Sequence, residues 1–88
     1  MNVLYLRSFV KDLKKFKDQK VQDKIKEIIS NIKETENFED INIVKRLKGY
    51  DNAYRIRIGK YRLGFFFEEN TITFVHFLKR EDIYKIFP

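Results

Sequence analysis

The segment from residue 54 to residue 67 constrains the fold of this chain more than any other part of the sequence. Residues 54–58 alternate between apolar and arginine side chains, which is the two-residue period of a β-strand with one buried face. Gly59 and Lys60 then fit a two-residue hairpin turn with glycine in the first position. Because apolar residues alternate again over residues 61–67, the sequence predicts an antiparallel hairpin.

This turn also decides which side chains share a face of the predicted sheet. Arg57 would lie opposite Arg62, and Arg55 would share their face, while the apolar side chains would all lie on the other face. Like charges that face each other across strands destabilise a sheet. Arginine, however, binds phosphate through two parallel hydrogen bonds and stays protonated. We therefore expect a phosphate-binding surface; the alternative is a solvated strand face whose charge is relieved by Glu68 or Glu69.

The N-terminal part of the chain predicts one strand and two helices. Residues from Val3 to Leu6 favour an extended strand. Ser8 is expected to cap the first helix and Asp18 the second. Apolar stripes at helical spacing define the faces that these helices bury: Phe9, Leu13 and Phe16 in the first, and Val21, Ile25, Ile28, Ile29 and Ile32 in the second. Both helices are therefore expected to pack on the sheet.

The rest of the chain predicts further strands and a closing segment. Residues 35–40 are polar and predict a loop, and residues 41–47 could form an irregular strand before a turn at 49–52. Residues 71–78 are apolar on both faces, which predicts a strand placed centrally in the sheet. Residues 80–87 are expected to form a turn or a short helix.

The predicted order of elements is β-α-α-β-β-β-β, followed by the C-terminal turn or short helix. This order implies an α+β fold, in which an antiparallel sheet of about four to five strands is covered on one face by the two N-terminal helices. Residues 1–88 are expected to form a single domain, because a chain of 88 residues has room for only one.

Composition narrows the classes of partner and chemistry. The chain has 19 Lys and Arg against 13 Asp and Glu, a net charge of +6. That charge favours nucleic acid, an anionic membrane surface or an acidic protein as a partner. With no cysteine and one histidine, neither a disulfide framework nor a Cys- or His-based metal site is expected, and no cofactor. Charges interrupt the first apolar stretch and no apolar run could span a bilayer, so we expect a cytoplasmic protein without membrane association.

An arginine face of this kind suits cleavage of RNA without a metal ion. The RNA 2′-hydroxyl attacks the adjacent phosphate, and the reaction needs a base, cations for the phosphorane and an acid for the leaving 5′-oxygen. His76 is the usual first candidate for proton transfer, but its apolar strand favours a packed or hydrogen-bonded histidine. Tyr84 is the second candidate if Lys79 and Arg80 lower the pKa of its phenol; otherwise it is a packing aromatic.

Three segments together resemble toxins of the RelE/ParE superfamily from type II toxin-antitoxin systems. They are residues 45–50 (KRLKGY), 54–63 (YRIRIGKYRL) and 79–88 (KREDIYKIFP). Each segment alone is weak evidence for this resemblance, but the three segments together are fairly specific. The predicted order of helices and strands also matches the family. The resemblance implies a RelE-like mRNA interferase that cuts mRNA in the ribosomal A site and so inhibits translation. It also implies a cognate RelB-like antitoxin from the same operon, in a possible toxin-antitoxin hetero-oligomer.

The resemblance also implies which residues form the site. The predicted catalytic residues are the strand pair Arg55 and Arg57, the next-strand arginine Arg62, then Arg80 after the last strand and the C-terminal Tyr84. Four more basic residues of the matching segments are predicted to contact RNA: Arg46, Lys48, Lys60 and Lys79. Some relatives carry lysine where this chain has arginine in the strand pair, so the assignment of acid and base stays open.

Two other functions fit the same fold, and fold alone does not decide between them. A ParE-like toxin would inhibit DNA gyrase and cut nothing, and a degenerate family member would have lost its activity. The complete set of three sheet arginines with Arg80 and Tyr84 favours the nuclease, because a pure gyrase binder has no chemical need for it.

Overall fold

The computed structural model describes residues 1–41 and 44–88 and contains five strands and three α-helices in that part of the chain. The strands are β1 (Asn2–Tyr5), β2 (Val44–Arg46), β3 (Ala53–Ile58), β4 (Tyr61–Glu68) and β5 (Thr71–Lys79). The helices are α1 (Arg7–Lys15), α2 (Gln19–Glu34) and α3 (Arg80–Ile86), with a 3₁₀ turn at Phe38–Asp40. None of the helices described here has the length and apolar character needed to cross a membrane.

The β3–β4 hairpin has the register that the sequence predicts. Ile58 pairs with Tyr61 across the turn, and Arg57 pairs with Arg62. Gly59 in the turn has a φ of 58°, a left-handed conformation that glycine adopts without steric cost. The predicted hairpin and its pairing are therefore confirmed.

The five strands form one sheet in the order β1-β5-β4-β3-β2. Strand β5 lies between β1 and β4, so the prediction of an interior strand is confirmed. The expectation of an antiparallel sheet needs one correction, because β1 pairs with β5 in parallel. Two helices and three strands separate β1 from β5 along the chain, so no tight turn restricts this pair to the antiparallel direction.

The main core lies between one face of the sheet and the first two helices. The fully buried residues of the predicted helical stripes are Phe9 in α1 and Ile25, Ile28 and Ile32 in α2. They pack with apolar side chains of three strands: Ile56, Ile58, Leu63, Phe65, Ile72, Phe74 and Phe77. The two amphipathic helices thus cover the apolar face of the sheet, as the sequence predicts.

Of the two predicted helix caps, one is confirmed and one is wrong. Asp18 caps α2, and its side chain accepts a hydrogen bond from the Lys20 amide at 3.0 Å. The predicted Ser8 cap is wrong: α1 begins at Arg7, and the Ser8 hydroxyl donates to the carbonyl of Val75 on the sheet. The helix begins two residues earlier than a Ser8 cap would place it, so this hydroxyl is available for a tertiary contact.

The connection between α2 and β3 differs from the prediction in two places. The predicted loop at residues 35–40 contains the 3₁₀ turn. Of the irregular strand predicted at 41–47, the structure shows Val44–Arg46, while Asn42 and Ile43 lie outside the described residues.

Helix α3 packs on the other face of the sheet and forms a second, smaller core. Ala53, Ile83 and Phe87 are buried there. Phe66, Val75 and Leu78 pack against them. Because α3 covers this part of the sheet, the prediction of cover on one face only is incomplete. It also explains why β5 is apolar on both faces.

A buried carboxylate joins α1 to β5. Asp12 is 6% exposed, and its Oδ2 accepts a hydrogen bond from the Phe77 amide at 3.0 Å. The same oxygen lies 2.8 Å from His76 Nδ1. His76 is therefore a hydrogen-bonded structural residue, the interpretation that its apolar strand favoured.

We expect Asp12→Ala to lower the free energy of unfolding by about 1–3 kcal/mol, because it leaves the buried Phe77 amide without an acceptor. Urea denaturation followed by circular dichroism measures the change. Asp23→Ala is the matched control, since Asp23 is exposed on α2 and should cost no more than about 0.5 kcal/mol. Equal midpoints for the two variants would contradict a structural role for Asp12.

Candidate active site

A groove of about 430 Å³ lies on the sheet face that α1 and α2 leave open. Six side chains line it: Lys45, Arg55, Arg57, Arg62, Arg80 and Tyr84. All five predicted catalytic residues therefore come together in one place.

The β3–β4 hairpin supplies the floor of this groove. Arg55 and Arg57 alternate with Ile56, which is fully buried on the opposite face. Arg62 lies across the strands from Arg57, and Arg57 is exposed while Arg55 and Arg62 are partly exposed. The prediction that these three arginines share the face away from the two N-terminal helices is confirmed.

The walls of the groove come from elements on opposite sides of the hairpin. Lys45 of β2 pairs with Arg55 across the strands. On the other side, α3 supplies Arg80 and Tyr84, which are four residues apart and so lie on one helical face. The groove thus has a wall at the β2 edge and a wall at α3.

Gly64 determines how closely the segment that ends α3 can approach the sheet. It lies opposite Arg55 in β4 and is buried under the Phe87 ring. A Cβ atom at Gly64 would lie 2.8 Å from the nearest carbon of that ring, closer than such atoms can pack. The missing side chain therefore lets Phe87 reach the sheet, and α3 is anchored where it can present Tyr84 to the groove.

The Tyr84 phenol lies among cations. Arg80 Nε donates a hydrogen bond to its hydroxyl at 3.1 Å. The Arg55 guanidinium carbon lies 4.4 Å from the centre of the ring. The hydrogen bond from Arg80 is the largest influence on the Tyr84 phenol and lowers its pKa. Burial opposes this shift more strongly than any single nearby charge supports it, but the charges of Arg55, Arg80 and Arg62 also lower the pKa, and the net shift is downward. The phenolate form is therefore more accessible than in an ordinary tyrosine.

Arg62 is held in place by the backbone of its own hairpin. One terminal nitrogen of its guanidinium donates to the Gly59 carbonyl at 3.0 Å and to the Tyr61 carbonyl at 2.8 Å. A positive charge that is fixed before substrate binds needs no reorganisation during reaction.

Acidic side chains are absent from the lining of the groove in the described part of the chain. Within residues 1–41 and 44–88, no ion pair involves any of its cations. Glu68 bonds instead to the side chain of Asn52, and Glu69 lies in the β4–β5 turn. The alternative of a strand face relieved by nearby glutamates is therefore not what the structure presents.

The four residues predicted to contact RNA lie outside the groove. Arg46 follows Lys45 in β2, and because side chains alternate it turns away and forms an ion pair with Asp51 at 3.2 Å. Lys48 lies beside it in the β2–β3 connection. Lys60 extends over the Tyr61 ring at the hairpin turn, where it borders α2.

Lys79 completes this set at the end of β5, where it pairs with Tyr61. The position of Lys45 within the groove was missed by the sequence prediction. Pairing β2 with β3 would have identified it, since the residue opposite Arg55 must share its face.

Comparison with known proteins identifies the family of the chain. The family model of the ParE toxin of type II toxin-antitoxin system, parDE, matches residues 3–84. Toxin RelE3 of Methanocaldococcus jannaschii is 40% identical over 89 residues, which cover both chains completely. The chain belongs to the RelE/ParE toxin superfamily. A second curated relative of this toxin, the putative toxin RelE1 of the same organism, is 34% identical over 96% of this chain and 94% of its own length.

Solved structures agree with the fold. The toxin matches a chain of the RelB-RelE antitoxin-toxin complex from Methanococcus jannaschii with a TM-score of 0.78 and 39% identity, over 97% of this chain and 99% of the other. The YoeB dimer from Staphylococcus aureus matches with a TM-score of 0.66 over 90% of this chain and 94% of the other, and at 22% identity it shows the fold alone. The expected superfamily and α+β fold are both confirmed.

We expect Gly64→Ala to displace Phe87 and the end of α3, because the added methyl group has no space beneath the ring. The strain should lower the free energy of unfolding by about 1–3 kcal/mol and weaken the contact between the Arg55 guanidinium and the Tyr84 ring. Thermal unfolding measures the loss of stability, and nuclear Overhauser effects between the two side chains report on the contact.

The matched control for this variant is the double change Gly64→Ala with Phe87→Leu. The smaller side chain at position 87 makes room for the methyl group, so the contact between Arg55 and Tyr84 should return in part. An unchanged melting temperature and unchanged Overhauser effects in Gly64→Ala would show that the position of α3 does not depend on this contact.

Proposed function

We propose that this toxin is a metal-independent endoribonuclease that cuts mRNA on the ribosome. The observation that carries the proposal is the Tyr84 hydroxyl, held by Arg80 in a groove that contains four arginines and one lysine. A phenol whose pKa is lowered by neighbouring cations is suited to act as a base in RNA cleavage through the 2′-hydroxyl.

In the proposed reaction, the Tyr84 phenolate would take the proton of the RNA 2′-hydroxyl. The 2′-oxygen would then attack the adjacent phosphorus, and the bond from phosphorus to the 5′-oxygen would break. The products would be a 2′,3′-cyclic phosphate and a 5′-hydroxyl. Arg55, Arg57 and Arg62 would stabilise the additional negative charge that forms on the phosphorane oxygens.

The charge of the groove supports a reaction without a metal ion. A divalent cation would enter a site already lined by five cationic side chains and, in the described part of the chain, by no carboxylate. The repulsion between these charges disfavours metal binding. The guanidinium groups can supply the charge stabilisation that a metal ion provides in other nucleases.

The proposed substrate agrees with the distribution of charge over the molecule. A net charge of +6 favours docking to ribosomal RNA. Arg46, Lys48, Lys60 and Lys79 lie outside the groove. They would contact RNA around it or on the ribosome, and take no part in the chemistry.

A second candidate function is inhibition of DNA gyrase without cleavage of RNA. The observation that favours it is the match to the ParE toxin family model. The two functions differ in the need for Tyr84, because a bound inhibitor has no use for a phenol of lowered pKa.

The test is cleavage of ribosome-bound mRNA by Arg57→Ala and Tyr84→Phe. Removing Arg57 takes away charge stabilisation and should lower the cleavage rate by about 10²–10³-fold. Removing the Tyr84 hydroxyl removes the base, and the rate should fall by about 10²–10⁴-fold. In the parent toxin the rate should rise with pH as the phenol deprotonates, and Tyr84→Phe should lose this rise. Primer extension on cellular mRNA after brief induction maps the cuts.

Arg7→Ala is the matched control, because Arg7 is exposed in α1 and outside the groove. This variant should cut at the parent rate. If Arg57→Ala and Tyr84→Phe arrest growth as strongly as the parent while DNA supercoiling falls, the nuclease function is wrong and gyrase inhibition replaces it.

We propose an acidic RelB-like antitoxin as the partner that neutralises this groove. The solved relative is an antitoxin-toxin complex, and among the residues that the structure describes no carboxylate lines the groove or forms an ion pair with its cations. A partner that covers it would therefore place acidic side chains against the arginines.

We expect the association rate of toxin and antitoxin to fall at least about tenfold as ionic strength rises from about 0.01 M to about 0.15 M, because salt screens the charges that steer the encounter. Stopped-flow measurements give the rate, and the double variant Arg57→Ala with Arg62→Ala should show a weaker dependence on salt. A rate that does not change with salt would contradict an electrostatic complement to the groove.

A further inference from the structure

We propose that Lys45 is the general acid of this reaction, the group that protonates the leaving 5′-oxygen. The inference rests on the proposed function, since it assigns a role within the same cleavage. The groove has a candidate base in Tyr84, but an alkoxide is a poor leaving group and needs a proton as the bond to phosphorus breaks.

Lys45 is the side chain of the groove whose chemistry fits this role. Among the six groove residues, four are arginines, and a guanidinium does not readily give up a proton. Tyr84 would already have acted as the base. An ammonium group carries three protons on a flexible chain and can donate one to an oxygen within reach. Lys45 is exposed, and no carboxylate among residues 1–41 and 44–88 forms an ion pair with it.

The position of Lys45 matches the geometry of the displacement. In an in-line attack, the entering 2′-oxygen and the leaving 5′-oxygen lie on opposite sides of phosphorus, so the base and the acid must approach from opposite sides. Tyr84 enters the groove from α3, which packs on β4 and β5. Lys45 enters from β2, at the other edge of the sheet.

Arg55 lies between the two proposed proton carriers. Its guanidinium stacks on the Tyr84 ring at 4.4 Å, and its strand partner across the sheet is Lys45. Side chains paired in this way have Cβ atoms about 4.5–5.5 Å apart. A phosphate bound by Arg55 would therefore have the phenol on one side and the ammonium group on the other.

The proposed step balances in atoms and charge. The 2′-hydroxyl proton passes to the Tyr84 phenolate, and the bond from the 2′-oxygen to phosphorus forms. The bond from phosphorus to the 5′-oxygen breaks, and its electron pair takes a proton from Lys45 Nζ. The lysine is left neutral and the tyrosine protonated, and both return to their starting states by exchange with water.

The test compares Lys45→Arg with the parent on two mRNAs loaded on ribosomes. One mRNA has the normal linkage at the mapped cleavage position, and in the other a sulfur atom replaces the leaving 5′-oxygen. Lys45→Arg keeps the positive charge but loses the ability to transfer a proton, because a guanidinium is not readily deprotonated. It should therefore cut the normal linkage about 10²-fold or more slowly than the parent. A thiolate leaves without protonation, so Lys45→Arg should cut the sulfur linkage within a few-fold of the parent rate.

Two variants make this comparison specific. Tyr84→Phe should stay slow on both linkages, because sulfur in the leaving group does not replace a base. Lys11→Arg makes the same exchange on the exposed face of α1, outside the groove, and should cut both linkages at the parent rate.

The outcomes separate this inference from the proposed function. If Lys45→Arg cuts the normal linkage as fast as the parent, Lys45 is not the acid and the nuclease function stands. If the variant is slow on both linkages, Lys45 binds or positions RNA and the inference is overturned. If the parent toxin cuts neither linkage, the proposed function fails and the inference fails with it.

Discussion

The β3–β4 hairpin turns at Gly59 and Lys60, and the pairing that follows from this turn determines which side chains meet on each face of the sheet. A slip of one residue would move Ile56 and Leu63 out of the core and the arginines into it. Both side chains are fully buried, so such a slip would cost much of the hydrophobic stabilisation. The core on one face therefore enforces the arrangement of charge on the other.

This coupling explains how the chain maintains three arginines close together. The pair of Arg57 and Arg62 is unfavourable in the free protein, since like charges across strands repel. Two backbone carbonyls at the turn hold the Arg62 guanidinium and so reduce its freedom to move away. A phosphate, or the acidic side chains of a partner, would relieve the repulsion. The same groove thus accounts for the proposed affinity for RNA and the proposed affinity for an antitoxin.

The hairpin, the helical stripes and the arginine face could be predicted from the sequence because each depends on periodicity within a short segment. Contacts between distant segments could not. Serine is a common helix cap, but the Ser8 hydroxyl donates to the carbonyl of Val75, which lies 67 residues away in the sequence. Asp12 showed no local sign of its bond to β5. In β2, a short segment of irregular pattern, the choice between Lys45 and Arg46 required the pairing with β3.

The residues of the proposed site lie on elements that differ in how extensively they are packed. The arginines that supply charge lie on the hairpin, where the main core fixes the backbone. The two proposed proton carriers lie on elements with less support. Tyr84 depends on α3, which packs in a small cluster with three buried residues, and Lys45 depends on an edge strand of three residues. Proton transfer requires distances within hydrogen-bond reach, whereas charge stabilisation falls off more slowly with distance. The two groups that need the most accurate placement thus lie on the elements with the fewest buried residues. Gly64 carries no reactive group, but it matters to the proposed reaction because it allows Phe87 to pack closely on the sheet and so anchors α3.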